Sequence, residues 1–395
     1  MRAIYLVLTF CLLQGVEGYS LDQETQLHAN LTTKYERKIR PFKNQTEPIQ
    51  ISMDFYMEKL KEFSEKENKI SVVGSLSIEW KDFRLTWDPT DYDGDLNQTS
   101  LFVSDIWAPN LFLLNPYEKQ TPILSDGTAC TIQANGYVTC LLADNFETTC
   151  SADISNYPFD TQICTLKFYV QGSFASNTLL QNASSTIRLD LYEIHGLWYL
   201  TGTRNYVQMY RIRGMSCEVL QLELKMKRRN SYCVYNILLP IFFLNLIQLF
   251  VFFLPLESGE RVGFSMTVLL SVVVFFTIIQ SKLPEFSKPS LSPLTFKLLV
   301  DFLTSIFIVL FVVVITFIYH KKNHERIPRF MREYIEKTKE KNGNEKEHLN
   351  ITWKDVAKLL NRWVSRLIFV CLYFNFSFYM IFNQVTSVNE VEISK

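Results

Sequence analysis

Residues 150–164 read CSADISNYPFDTQIC: two cysteines with thirteen residues between them, and the run Tyr157-Pro158-Phe159-Asp160 ahead of the second. What such a pair does depends on its redox compartment, and the start of the chain supplies it. Arg2 is followed by an apolar stretch, Ala3 to Leu13, and small residues through Gly18. This is the pattern of a secretory signal peptide over residues 1–18, too short for a membrane helix. Of eight cysteines, Cys11 leaves with the signal, and Cys233 and Cys371 lie in apolar runs downstream. Cys130, Cys140, Cys150, Cys164 and Cys217 remain in the oxidising part, an odd number, with Cys217 left over.

Around the quoted stretch the chain reads as β. Turn signals recur at 88–95 (DPTDYDGD), 125–127 (SDG) and 135–136 (NG), between short runs of Val, Ile, Thr, Tyr and Phe. Short strands broken by regular turns predict a β-sandwich over residues 19–230. A short N-terminal helix is expected over Leu27–Tyr35. Cys130 and Cys140 flank one hairpin. With Ala134-Asn135-Gly136 as a three-residue loop and Gly136 left-handed, the two meet across the strands; a two-residue Asn-Gly loop would offset them by one.

Downstream the composition changes. Val234–Leu254, Val262–Gln280, Phe302–Tyr319 and Leu367–Phe382 carry no charge. About 20 helical residues cross a hydrocarbon core of about 30 Å, so four crossings are expected, at 231–254, 261–281, 294–319 and 364–383. With the first part outside, four crossings return the tail, 384–395, to the outside. The loop and helix at 320–363 are then cytoplasmic, and they hold twelve Lys and Arg, whereas the chain after Phe382 has only Lys395. This asymmetry agrees with the positive-inside rule. Lys337–Glu347 is a charge run read as a flexible cytoplasmic link. Acceptor sequons for N-glycans stand at Asn30, Asn44, Asn97 and Asn182, all in the outside part. Asn350 and Asn375 also match, but lie inside and within the membrane, where they stay bare. Lys plus Arg and Asp plus Glu are both 40, and a zero net charge argues against nucleic acid as a partner. The five histidines are scattered, and no nucleophile motif or metal-ligand spacing occurs. An enzyme, a cofactor or a metal site is therefore not expected.

The quoted stretch resembles the signature of the Cys-loop family of pentameric ligand-gated ion channels. Other segments agree in order: WKDFRLTW at 80–87 and WAPNLFLLN at 107–115 resemble the nicotinic acetylcholine receptor branch, as does GERVGFSMTVLLSVVVFF at 259–276. NILLP at 236–240 and WKDVAKLLNR at 353–362 resemble the family's first membrane helix and its cytoplasmic helix. The resemblance covers the mature chain. It implies a Cys150–Cys164 disulfide, and an extracellular β-sandwich followed by a four-helix transmembrane bundle. It further implies four more subunits, identical or related, around a central pore in the plasma membrane.

On the second apolar helix Gly263, Thr267, Leu270, Val274, Thr277 and Ser281 recur every three or four residues, on one helical face. With the family match this stripe becomes the pore wall. Leu270 and Val274 form apolar rings that gate by dewetting, and Thr267 and Thr277 help solvate a passing ion. Glu260 is read as standing one residue before the helix at the cytoplasmic mouth. Five copies make a negative ring that favours sodium and potassium. Anion-selective relatives carry Pro-Ala there; this chain has Ser258-Gly259-Glu260. At the outer mouth Ser281 and Lys282 stand where many nicotinic subunits have a carboxylate, which puts high calcium permeability in question.

The ligand site departs from the family. Nicotinic sites hold a quaternary ammonium in an aromatic box between subunits. The box positions here are Leu114, Gln171 and Ser75, and only Tyr210 stays aromatic. Ile212 and Arg213 replace the paired cysteines of acetylcholine-binding subunits. Leu141, Thr139 and Thr131 line the opposite wall. Without the rings, an apolar agonist gains more than a small cation, at about 25 cal/mol per Å² buried. The alternative is an accessory subunit of an acetylcholine-gated channel, without its own agonist site. The losses and the short cytoplasmic loop resemble the chemotactile receptors of cephalopods, a family that senses poorly soluble molecules; other divergent invertebrate nicotinic-like subunits share such losses. Finally, the resemblance puts Tyr157, Pro158 and Phe159 against the segment from Lys282 to Pro293. It gives Arg228 the role of a gating-coupling cation, with Asp160 and Glu65 as candidate carboxylate partners.

Overall fold

The computed structural model describes residues 20–92, 96–172, 178–212, 214–282, 293–321, 327–341 and 351–393, and beyond Tyr379 the backbone course alone. The signal peptide expected at 1–18 and the segment 283–292 thus lie outside the described residues. Two units divide the chain: a sandwich unit through Ser151 plus Gln162–Met226, and a helical unit of Ala152–Thr161 plus Lys227 onward.

The sandwich unit opens with α1, Leu21–Thr32, earlier than the Leu27–Tyr35 expected. Ser20 and Gln23 explain the start. The Gln23 amide donates to Ser20 Oγ at 3.3 Å and the Ser20 amide to Gln23 Oε1 at 2.6 Å, a reciprocal capping box. Thr33 ends the helix in an extended conformation, with ψ of 123°.

Among the described residues ten strands make two sheets. One holds β1 (Ile49–Ser64), β2 (Lys69–Lys81), β3 (Gln98–Phe102), β5 (Ala129–Gln133), β6 (Tyr137–Thr149) and β8 (Thr178–Asn182), in the order β3-β5-β6-β2-β1-β8. The other holds β4 (Leu111–Leu113), β7 (Thr161–Val170), β9 (Trp198–Ile212) and β10 (Met215–Arg228), in the order β4-β7-β10-β9. Alternation places one side of each strand inside. Leu76 and Ile78 of β2, Leu166 and Phe168 of β7, and Leu224 of β10 are fully buried. Phe146 lies between the rings of Phe55 and Phe168, edge to face at 5.5 and 5.7 Å, and joins the sheets at the centre of the core.

The hairpin takes the three-residue form. Gly136 has φ of +84°, and Cys130 pairs with Cys140, Thr131 with Thr139 and Ile132 with Val138. The cysteines are disulfide-bonded, Cα atoms 4.3 Å apart. A Cβ on Gly136 would sit 2.6 Å from the Asp82 carbonyl oxygen, so both conformation and space demand glycine. Below that contact Asp82, fully buried, accepts from Arg84 Nε at 3.0 Å, Arg84 Nη2 at 2.9 Å and the Tyr35 hydroxyl at 2.5 Å. Burial, then the Asp82 carboxylate, pushes the Tyr35 hydroxyl pKa far above its ordinary value.

In the helical unit α2 (Ser231–Phe252), α3 (Glu260–Lys282) and α4 (Pro293–Tyr319) are each long and apolar enough to cross a membrane. Helix α2 widens into a π turn at Val234–Leu238, directly ahead of Pro240. Proline lacks a donor and crowds the carbonyl four residues back, and the wide turn accommodates both. It ends at Phe252 rather than 254. Helix α5 runs Arg329–Lys341, so the charge run expected to be a flexible link is helical up to Lys341. Helix α6 runs unbroken over Trp353–Ile393, joining the expected cytoplasmic helix, fourth crossing and tail into one element. Not one Gly or Pro occurs between these bounds. Ala357, Ile368 and Tyr379 are buried on one face of α6, with Asn361, Val364, Leu372 and Asn375 between them at helical spacing.

Candidate functional site

The seven candidate ligand residues fall into two groups, one on each sheet. Leu114 directly follows β4, Gln171 directly follows β7, and Tyr210 lies in β9. The Leu114 amide donates to the Lys167 carbonyl at 2.7 Å, and the Lys167 ammonium lies 5.4 Å from the centroid of the Tyr210 ring. Lys167 therefore ties Leu114 to the remaining aromatic. Sequence reasoning passed it over, although its parity on β7 matches that of Gln171. Gln171 stands further along, its amide bonded to the Asn110 carbonyl at 2.8 Å.

The second group lies across β2, β6 and β5. Ser77 pairs with Leu141, Glu79 with Thr139, and Thr131 with Thr139, while Ser75 sits beside Ala143. All four candidates occupy the outward parity of their strands, and Leu141 is 61% exposed. Ser75 donates to Glu58 at 3.1 Å and Thr139 to Glu79 at 3.4 Å. Glu58 and Glu79 thus join this group of residues, and nothing in the sequence pattern marked them. Two cavities in the sandwich, of about 330 and 450 Å³, are lined by none of the seven. The seven candidates thus divide between the two sheets of one chain. Where the paired cysteines would stand, β9 ends at Ile212 and Gly214 turns into β10 with φ of +86°; Arg213 lies outside the described residues.

Cys150 and Cys164 are disulfide-bonded in the sandwich unit, Cα atoms 5.4 Å apart. The loop they close, Ala152–Thr161, belongs to the helical unit. There Arg228 grips Asp160 with two parallel bonds, Nε to Oδ1 at 2.7 Å and Nη2 to Oδ2 at 3.0 Å. The side chains are 9% and 2% exposed. The Arg228 guanidinium also lies 4.8 Å from the centroid of the Tyr157 ring, and the Tyr157 hydroxyl is 3.4 Å from Cys233 Sγ. Pro158 follows Tyr157 through a cis peptide, and the Phe159 amide bonds the Asn156 carbonyl at 2.7 Å. Asp160 is thus a carboxylate partner of Arg228; Glu65 lies between β1 and β2 in the sandwich unit.

On α3 the stripe Gly263, Thr267, Leu270, Val274, Thr277 and Ser281 is exposed throughout, with Leu270 64% and Val274 47% exposed. The opposite face, Arg261, Ser265, Val268, Val272 and Ile279, is buried. The hydroxyls donate back to their own helix: Thr267 to the Gly263 carbonyl at 3.0 Å, Thr277 to Val273 at 2.7 Å and Ser281 to Ile278 at 2.8 Å. With their hydrogens engaged, the three oxygens present lone pairs, which suit a cation. Glu260 is the first residue of α3 rather than one ahead of it, capped by Ser258 Oγ, which accepts its amide at 3.3 Å. Nearby, the Tyr319 hydroxyl and then Lys354 hold the Glu257 carboxyl below its ordinary pKa. The sequon residues Asn30, Asn44, Asn97 and Asn182 are all exposed.

A family model described as the neurotransmitter-gated ion-channel ligand binding domain matches residues 24–230. A second, the neurotransmitter-gated ion-channel transmembrane region, matches residues 237–339. The chain is 28% identical over 284 residues to acetylcholine receptor subunit alpha-type acr-7 of Caenorhabditis elegans, covering 69% of this chain and 52% of the relative. It is 28% identical over 380 residues to neuronal acetylcholine receptor subunit alpha-6 of Mus musculus, covering 89% and 74%. It is 25% identical over 332 residues to acetylcholine receptor subunit beta of Rattus norvegicus, covering 79% and 65%. The chain thus spans between half and three quarters of the length of these relatives.

Proposed function

The chain belongs to the neurotransmitter-gated ion channels, and from that premise we propose that it is a subunit of a pentameric, ligand-gated cation channel of the plasma membrane. Its sandwich and both termini face outward. The observation that carries this reading is the exposed stripe on α3, with three hydroxyl oxygens turned outward as acceptors and Glu260 at its start. A face that the chain's own bundle leaves uncovered suits a lumen shared by five copies, and acceptor oxygens beyond a ring of carboxylates suit sodium and potassium.

The agonist binds between subunits, Leu114, Gln171 and Tyr210 of one against Ser75, Leu141, Thr139 and Thr131 of the next. The division of these residues between two sheets supports that reading, because neither half-wall encloses a ligand alone. Three box positions without rings, and a strongly exposed Leu141, favour an apolar ligand over acetylcholine, as in a chemoreceptor of the cephalopod kind. The test is a panel of acetylcholine and apolar natural products applied to the chain expressed in oocytes. Currents are expected with an apolar compound and not with acetylcholine. Currents with acetylcholine alone overturn the ligand class. Silence alone, with acetylcholine-gated current once a second subunit is supplied, makes the chain an accessory subunit.

The gate is tested separately. Leu270→Thr puts hydroxyls into the apolar ring and stabilises a hydrated pore. Standing leak current is expected without agonist, or apparent agonist sensitivity raised by about tenfold. A variant that conducts as its parent does would remove Leu270 from the gate.

A further inference from the structure

Helix α4 carries two charges inside a stretch that reads as a membrane span. Lys297 and Asp301 lie one turn apart, with side chains 4% and 2% exposed. Asp301 is eight residues in from Pro293, roughly 12 Å along the axis at ~1.5 Å per residue. A charge at such depth persists only with partners inside the protein. Lys297 Nζ donates to Asp301 Oδ2 at 2.5 Å, and Asn375 Nδ2, on α6, donates to Asp301 Oδ1 at 2.7 Å. The Ser305 hydroxyl, fully buried, bonds the Asp301 carbonyl at 2.8 Å. Lysine ahead of aspartate is the weaker order for a pair four residues apart on a helix. Of these bonds, the one from Asn375 crosses from α6 to α4, beside the apolar packing of Ile308 and Val312 with Ile368.

The next residue faces the pore helix. The Phe302 ring stacks on Phe276 of α3, centroids 5.8 Å apart and planes 14° from parallel. Phe276 stands between Val274 and Thr277 of the exposed stripe. Two consecutive residues of α4 therefore hold α6 on one side and α3 on the other.

We propose that Asp301 is a positioning residue of the gate: its bond to Asn375 fixes α4 against α6, and Phe302 carries that position to the pore helix. The balance between open and closed pores then depends on a contact remote from the ligand. This rests on the channel reading above.

The experiment uses the full chain carrying Leu270→Thr in oocytes and reads leak current per channel counted at the surface. Asn375→Leu removes the donor on α6 and keeps the Lys297–Asp301 pair. It is expected to change the current per channel by about tenfold, the scale of a lost bond to a buried charge. Exchanging the partners, Asp301→Asn with Asn375→Asp, keeps one amide and one carboxylate in the contact between α4 and α6. It is expected to return the current to within about twofold of the parent. Asn375→Leu with parental current overturns the proposal. So does an exchange variant that stays inside the cell or conducts as abnormally as the single variant. Asn375→Leu retained inside the cell, beside a normal exchange variant, makes the bond a folding contact only and overturns the gating role. A Leu270→Thr parent at the surface that carries neither leak current nor current to any compound of the panel, alone or with a second subunit, overturns the channel reading first, before the other variants are compared, and this inference with it.

Discussion

Glu260→Lys is expected to abolish cation selectivity. In a tenfold gradient of a monovalent salt, the reversal potential of a cation channel lies near the cation limit, about 59 mV from zero. The variant should move it to zero or to the opposite sign. Glu260 opens α3, and the stripe that follows it is exposed along the whole helix. In a pentamer each substitution changes the ring by two charges per subunit, ten in all for five copies. A narrow, partly dehydrated mouth screens those charges poorly, so their effect on a passing ion exceeds that of the same change on an open surface. The hydroxyl oxygens of Thr267, Thr277 and Ser281 remain as acceptors, but they lie beyond the altered ring. An unchanged reversal potential would remove Glu260 from the conduction path.

Arg228→Ala is the second large effect. Arg228 and Asp160 form a two-bond pair with almost no exposure, and the same guanidinium covers the Tyr157 ring. Deleting the cation leaves a buried carboxylate without this partner, a loss of about 3–5 kcal/mol for pairs of this kind. That is about two to four decades in an equilibrium constant. The loop that Asp160 belongs to is closed by Cys150 and Cys164 in the sandwich unit, and we propose that this is the segment through which ligand binding reaches the helices. The variant is expected either to reach the surface poorly or to bind ligand and open rarely. Arg228→Gln with Asp160→Asn removes both charges together, and should restore surface expression to within about twofold of the parent because no lone charge is left behind. Surface-expressed Arg228→Ala with normal maximal current and normal sensitivity would refute the coupling role.

Much of this was legible from local pattern. The Cys130–Cys140 pairing followed from one turn, because a left-handed glycine sets the register of its hairpin. The stripe on α3 followed from periodicity. What escaped was tertiary or cooperative. Lys167 looks like any outward lysine on a strand until Tyr210 arrives from β9. Lys297 and Asp301 fall inside the crossing expected at 294–319 and were not singled out, since a sequence does not say that two charges neutralise each other inside a helix. The start of α1 was legible in the capping pair Ser20 and Gln23, which lies ahead of the Leu27 start expected. The length of α6 was lost by dividing it where hydropathy changes; a helix stops at a breaker, and none is present.

That unbroken rod bears on how descendants of this chain can diverge. Trp353 and Ala357 are buried near its start, and Asn375 meets Asp301 farther along. Successive helical residues are about 100° apart around the axis. One codon gained or lost between these anchors would turn Asn375 away from α4 or strip the foot of the rod from its seat. Lineages are therefore free to lengthen or shorten the chain ahead of Trp353, whereas the interval from Trp353 to Asn375 should keep its length while its lipid-facing letters drift.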